Sequence, residues 1–262
     1  PFVTTSNLSI LDVASGQVRD VERSFDSLSA LAWSPDGSRI TATATTELDG
    51  VKRTEVIEVD IVSMQGRPVA EFESAIEVVP VGYSFDSSRL FIVVVDARGT
   101  NLLVERGGKT QPVAELSPGR TRDWALSPDG SRLAYVDVLS GGSRTYVGRS
   151  LMIATGAITT LPAGKNQLGA SWMPGSPIPA FGGPGGEWQL TDTASAYLVP
   201  EDWSPDGAFL VATVHSAGNE KSTRPTTALE LISRQTSTTQ SSRLRISEAV
   251  GAAFLGWVHD LT

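Results

Sequence analysis

Short apolar runs alternate with turn residues along the whole chain. Ser29 to Trp33 and Ile40 to Ala44 flank the turn Ser34-Pro35-Asp36-Gly37. Arg132 to Val136 follows a second copy of that turn, and Ala208 to Thr213 follows a third. Runs of this length bounded by Gly, Pro, Asp and Ser predict strands joined by hairpins. A second series lies between the copies: Leu8 to Asp12, Val56 to Asp60, Asn101 to Glu105, Leu151 to Ala154, Glu187 to Leu190 and Ala228 to Ile232. Each is followed by small or polar residues and then by another short strand, such as Pro112 to Ala114 or Thr159 to Leu161. Two interleaved series of six predict about 24 short strands.

The turn is the centre of a repeat. Leu31-Ala32-Trp33-Ser34-Pro35-Asp36-Gly37-Ser38-Arg39-Ile40 is matched by Trp124 to Leu133 and by Glu201 to Leu210. Weaker copies run from Val81 to Leu90, from Ala170 to Ser176 and from Leu255 to Asp260. The anchors Trp33, Tyr83, Leu126, Trp172, Trp203 and Trp257 are separated by 50, 43, 46, 31 and 54 residues. That spacing is the length of a four-stranded propeller blade. Pro pre-sets φ for a type I turn, Asp bonds its own backbone, and Gly takes the left-handed position that closes the hairpin. The aromatic anchors are expected to pack between blades.

The expected fold is all-β, a six-bladed β-propeller in one domain closed by pairing of N- and C-terminal strands. The blades read as 25–74, 75–117, 118–163, 164–198 and 199–247, with 248–262 plus 1–24 as the sixth. Ala252 to Trp257 supplies an anchor strand without later partners, and Leu8 to Asp12 with Gln17 to Val21 supplies the missing ones. Such closure removes free sheet edges. These motifs resemble the TolB-type, WD40-like propeller repeats over nearly the whole chain. The resemblance implies the propeller architecture, an exported location and protein partners. It does not specify an activity, because one fold hosts many.

The Ser-Pro-Asp-Gly turns should share one face with the turns near Gly16, Gly66, Gly107 and Gly156. The opposite face carries the length variation, where recognition is usually found on a rigid scaffold. Three long loops are expected there. Thr45 to Arg53 offers Glu47, Asp49, Lys52 and Arg53. Asp137 to Arg149 offers Arg144, Tyr146 and Arg149. His215 to Pro225 offers His215, Glu220, Lys221 and Arg224. Taken singly, each also reads as a solvated hairpin tip; together they form the leading candidate binding face.

The residue before each anchor should line the channel. It is small in five copies and Asp202 in the other, with Glu201 beside it and Asp123 nearby in its own repeat. Solvated acids in a wet channel explain these three. The sharper alternative is a hard cation such as Ca²⁺, which takes several oxygen ligands. No cofactor is otherwise expected.

Composition narrows the function classes. The net charge is −8, and Lys supplies only four of the 21 basic residues, so a nucleic-acid surface is not expected. Without cysteine there are no disulfides or thiolate zinc sites. No apolar run reaches the roughly 20 residues of a membrane span. The chain opens on Pro1 with no signal peptide, which reads as a processed protein or a domain of a larger one. No Gly-x-Ser-x-Gly elbow occurs, and Gly182-Gly-Pro-Gly-Gly186 lacks the Lys-Ser/Thr of a phosphate loop and reads as a tight turn.

The sequence therefore favours a non-catalytic binding, sensor or scaffold propeller, monomeric or part of a larger protein, that recognises a protein or cell-envelope ligand outside the cytoplasm. Two alternatives stand beside it: a channel-mouth hydrolase or lactonase-like enzyme, and the regulatory propeller of a larger peptidase.

Overall fold

The computed structural model describes residues 6–12, 14–25, 27–48, 50–141, 143–161, 166–186, 196–216, 226–233 and 243–247. β1 (Ser6–Leu11) and β2 (Val18–Phe25) form a two-stranded sheet. β3 (Ser27–Trp33), β4 (Arg39–Leu48), β5 (Val51–Asp60) and β6 (Gly66–Glu73) form a four-stranded sheet in that order. A second such sheet is made by β7 (Glu77–Tyr83), β8 (Leu90–Asp96), β9 (Gly99–Arg106) and β10 (Lys109–Ser117). A third contains β11 (Arg120–Leu126), β12 (Arg132–Ser140), β13 (Arg144–Met152) and β14 (Ala157–Thr160). β15 (Leu168–Ser171) and β16 (Ala180–Gly182) pair alone. The last sheet holds β17 (Ala196–Trp203), β18 (Phe209–Ser216), β19 (Thr226–Ser233) and β20 (Arg243–Ser247).

The repeat turn owes its shape to two side chains. In the first copy the Ser34 and Gly37 amides donate to the Arg39 and Ser34 carbonyls, each at 2.9 Å. Asp36 Oδ1 accepts from Ser34 Oγ at 2.6 Å, Ser38 N at 3.0 Å and Ser38 Oγ at 2.8 Å. Ser34 Oγ in turn accepts the Arg39 amide at 2.9 Å. The same ring of bonds recurs around Ser84 and Asp86, and around Ser204 and Asp206. Ser and Asp at these positions thus replace hydrogen bonds that a longer ladder would supply. At the degraded copy, the Ser176 amide still donates to the Met173 carbonyl at 3.0 Å.

The repeat turn and the outer turn lie at the same end of a sheet, as expected. The Ile61 amide donates to the Ser38 carbonyl at 3.0 Å, and the Ile153 amide to the Ser131 carbonyl at 2.9 Å. Neighbouring repeat turns also brace one another. The Asp36 amide donates to Ser87 Oγ at 3.2 Å, and Arg39 Nη2 donates to the Ser87 carbonyl. Gly130 has φ of +67°, and a Cβ there would lie 3.1 Å from Ser84 Cα, so both conformation and close approach call for Gly.

Contacts divide the chain into two compact units. The first holds the β1–β2, β3–β6 and β7–β10 sheets with the turns Asp129–Ser131 and Ile153–Gly156. The second holds the remainder of the β11–β14 sheet, β15–β16 and β17–β20. Within each unit the core is built where one sheet faces the next. Leu8, Ile10 and Val21 pack on Ile40, Ala42, Ala44, Ile57 and Val59. Val56 and Val69 join Val78, Tyr83, Leu90, Ile92 and Val94. In the second unit Ala134 and Val136 meet Trp172 and Phe181. The central strand β8 is buried on both faces from Leu90 to Val95, which explains its unbroken apolar run.

Several expectations need correction. Four sheets have four strands; two have only two among the described residues, so six complete blades are not seen. The boundary at 198/199 cuts through β17, whose ladder with β18 starts at the Ala196–Ser216 pair. Phe25, placed in the first blade, ends β2. Ile153 and Ala154, expected in a strand, form the turn after β13. Tyr83, Trp172 and Trp203 are buried, but Trp33 is 52% exposed. The described part of the sheet preceding β3 is β1 and β2, which offers no inner strand to cover the Trp33 indole. Glu187 to Leu190 and Trp257 lie outside the described residues.

Candidate functional site

The end of the sheets opposite the repeat turns carries hairpins of unequal length. In the second sheet, β8 and β9 close tightly at the Asp96–Gly99 pair. In the first, β4 and β5 stay paired through Thr46–Arg53, Glu47–Lys52 and Leu48–Val51, beyond the last β3 partner at Thr45. In the third, β12 and β13 remain paired to Ser140–Arg144, past the last β14 partner at Arg149. Two of the three predicted loops are therefore paired ribbons. Backbone pairing continues there because alternating side chains still suit a ladder, a feature that charge and Gly content concealed.

The candidate residues at this end differ in how far they are committed. Arg53 pairs with Glu71 at 2.8 Å and with Glu73 at 3.1 Å. Lys52 Nζ donates to the Ile76 carbonyl at 3.2 Å. Glu47 is exposed, as is Val51 beside Lys52. In the second unit Arg144 is exposed next to the ribbon tip, and Leu139 beside it is also exposed. Tyr146 packs partly against the Trp172 and Phe181 cluster. Arg149 faces inward, with Nη2 2.9 Å from Asp137 Oδ2, whose side chain is 2% exposed. Asp49, Glu220, Lys221 and Arg224 lie outside the described residues.

His215 is a residue of β18 and does not open a loop. Its ring stacks on Tyr197 with centroids 4.9 Å apart, and its Nδ1 is 3.4 Å from Thr227 Oγ1. Burial lowers its pKa, opposed by the negative charge of Glu201.

The three predicted channel acids are placed separately. Asp123 Oδ2 accepts the Gly169 amide at 2.8 Å, and Arg122 Nε is 2.9 Å from its Oδ1. Glu201 Oε1 accepts from Thr213 Oγ1 at 2.6 Å. Asp202 accepts the Trp203 amide at 2.9 Å; loss of surrounding water raises its carboxyl pKa, against that hydrogen bond. Among the described residues, no three Asp, Glu or His side chains gather as metal ligands. A bulge in the inner strand contributes to this spread. Register shifts fall between Ser29 and Ala32, Pro80 and Gly82, Leu168 and Ala170, and Pro200 and Asp202. Each re-aims the side chains just before the anchor, so sequence offset alone misjudges their direction. The predicted tight turn is seen just after β16, where the Gly186 amide donates to the Gly183 carbonyl at 3.1 Å; Gly182 itself packs closely, since a Cβ there would lie 2.0 Å from the Leu198 carbonyl oxygen.

A site that the sequence reading missed lies at the repeat-turn end of the first unit. Arg39, Glu58, Asp60, Ser63, Gln65 and Arg67 line a cavity of about 590 Å³. Glu58 is buried and holds its wall together. Its Oε1 accepts from Arg67 at 2.7 Å; its Oε2 accepts from Arg39 at 3.1 Å and from the Tyr83 hydroxyl at 3.2 Å. The Arg39 guanidinium also lies 5.2 Å from the Tyr83 ring centroid. The only sequence signal was that Glu58 interrupts the short apolar run of Val56, Ile57 and Val59.

The sheets define an all-β propeller fold, and comparison with solved structures agrees. No protein-family model and no curated protein matches the sequence. The chain is similar to TolB from Acinetobacter baumannii at 17% identity, covering 79% of this chain and 45% of that one, with a TM-score of 0.50. For a TolB-like protein from Agrobacterium tumefaciens the values are 16%, 92%, 90% and 0.57. For a prolyl endopeptidase they are 13%, 92%, 38% and 0.62. The chain thus spans less than half of the first and third of these proteins. Such likeness, with an enzyme among the matches, speaks to the fold and not to one activity. No helix among the described residues is long and apolar enough to cross a membrane.

Proposed function

We propose that this propeller is a non-catalytic recognition or scaffold module that binds a protein or cell-envelope partner through its long-hairpin end. One observation carries the reading: each unit has a ribbon that stays paired past its neighbouring strand, β4–β5 in the first and β12–β13 in the second, whereas the β8–β9 hairpin closes at Asp96–Gly99. Each ribbon presents an exposed apolar residue beside charge: Val51 next to Lys52, and Leu139 near Arg144. Apolar contact ringed by charge is the usual composition of a protein interface. A paired ribbon also loses less entropy on binding than a free loop.

The resemblance to TolB-type repeats supports an extracytoplasmic location. The same reading completes the β1–β2 sheet with residues 248–262 as a sixth blade. The packing of Leu8, Ile10 and Val21 against Ile40 and Val59, and the open side of Trp33, support it.

The test is affinity capture from a native cell-envelope extract. Val51→Asp, Leu139→Asp and Arg144→Ala should each deplete the captured partner while leaving the melting temperature unchanged. Full capture by the triple variant would refute the reading.

A further inference from the structure

The repeat-turn end of the first unit has features that neither the turn nor the core explains. Position 85 is Pro in the strongest copies, as at Pro35, Pro128 and Pro205, where it pre-sets the turn. Here it is Phe85, and its side chain packs on little: the residue is 75% exposed. Val62, in the outer turn of the preceding sheet, is 86% exposed. The two turns are linked through the first repeat turn, by the Ile61–Ser38 and Asp36–Ser87 hydrogen bonds. The Arg39–Glu58–Arg67 cavity is lined on one side by Asp60 and Ser63, which flank Val62, and its Arg39 reaches the carbonyl of Ser87, two residues past Phe85.

The cavity has an unspent donor edge. Arg39 is held by Glu58, by the Ser87 carbonyl and by the Tyr83 ring. Arg67, with a side chain 65% exposed, pairs with Glu58 alone among the described residues, through one nitrogen. Glu58 is shared by both guanidinium groups, so the trio carries one surplus positive charge. The other acid lining the cavity is Asp60, whose Oδ1 is taken by the Val62 and Ser63 amides and Ser63 Oγ. Arg39 and Arg67 against Glu58 and Asp60 leave the cavity formally neutral. Recognition here works through the directed fork of Arg67, which fits a carboxylate, and not through a field that draws polyanions.

We infer that this cavity is a second binding site, one that takes a carboxylate flanked by apolar groups, as presented by an acidic, apolar segment of a protein partner. The carboxylate docks on the free edge of Arg67, and its apolar neighbours cover Phe85 and Val62. Glu58 is a positioning residue that keeps both guanidinium groups in place. The site is independent of the long-hairpin end, so either can fail without the other.

A peptide array tests it. The probes are nonapeptides carrying one Glu or Asp between Leu or Phe residues, each paired with its Gln or Asn counterpart, read with the labelled full chain. The acidic members should bind, and the amide members should bind about ten-fold more weakly. Arg67→Gln should weaken the acidic members by a similar factor, and should not weaken the amide members further. Phe85→Ser should weaken both sets. Three outcomes would overturn the inference: no binding by any acidic member, equal binding of acidic and amide members, or full binding by Arg67→Gln. Displacement of the peptide by equimolar glucuronate would overturn it in favour of a saccharide acid. Arg67 and Phe85 are both exposed, so unchanged melting temperatures serve as the folding control.

Discussion

Trp172 donates its indole N–H to the carbonyl of Ala125, 47 positions earlier, at 2.9 Å. The bond ties one inner strand to the next and shows what the repeat's aromatic position does in the folded chain. Trp203 repeats it toward Ser171 Oγ at 3.3 Å, while the Tyr83 hydroxyl reaches Glu58 on β5 of the preceding sheet. Among the described residues Trp33 has no comparable partner, and it is 52% exposed. Trp172→Ala should therefore cost about 3–5 kcal/mol. Trp33→Ala should cost only about 1–2 kcal/mol, since half of its surface already meets water. Urea denaturation of the two variants should separate them clearly, and equal costs would contradict the difference in burial.

The ion pairs divide in the same way. Asp137 and Arg149 meet inside the second unit, but Asp137 Oδ1 and Arg149 Nε have no hydrogen-bond partner among the described residues. Asp137→Asn should cost about 3–5 kcal/mol, because a guanidinium is left without its counter-charge. Replacing both, by Asp137→Leu with Arg149→Met, should recover much of that loss. Arg53, half-exposed between two surface carboxylates, should cost under about 1 kcal/mol as Arg53→Gln. Chemical denaturation of the set checks the order.

Acid should loosen the repeat turns together. Hydrogen bonds from Ser34 and Ser38 lower the Asp36 pKa to about 2, and those from Ser84 and Ser88 do the same for Asp86. Asp206 is lowered by Ser204 and the Ala208 amide. A depressed folded pKa means stability that is present above the unfolded value near 4 and is lost as pH falls through about 2. The melting temperature of the wild type should fall across that window. In Asp36→Asn/Asp86→Asn/Asp206→Asn it should start lower at neutral pH and fall less steeply.

Asp202 should behave in the opposite sense. Its folded pKa is raised by lost hydration, so the ionised carboxylate opposes folding at neutral pH. Asp202→Asn keeps an oxygen for the Trp203 amide and should raise the melting temperature at pH 7. The gain should vanish below the unfolded pKa near 4, where both states are protonated. A variant less stable than wild type at pH 7 would show that Asp202 is held by a favourable partner.

The sequence by itself determined the all-β class, the repeat and its turn. Those are local: Ser34, Asp36 and Gly37 close a hairpin through bonds within five residues. It also located the ends that carry the turns near Gly16 and Gly66, because strand alternation settles direction without tertiary contact. The tertiary structure decided the rest. Pairing showed Thr45 to Arg53 to be mostly ladder, a bulge between Pro200 and Asp202 re-aimed Glu201 and Asp202, and Asp123 is spent on the Gly169 amide. The Arg39–Glu58–Arg67 group joins residues 19 and 9 positions apart, and Tyr83 reaches it from 25 positions away in the next sheet. A buried carboxylate and the cations that neutralise it meet only when strands stack, and no local pattern records that meeting. The Ser-Pro-Asp-Gly turn is thus legible as a hinge from sequence alone. Its second use, as a brace between neighbouring sheets, belongs to the fold.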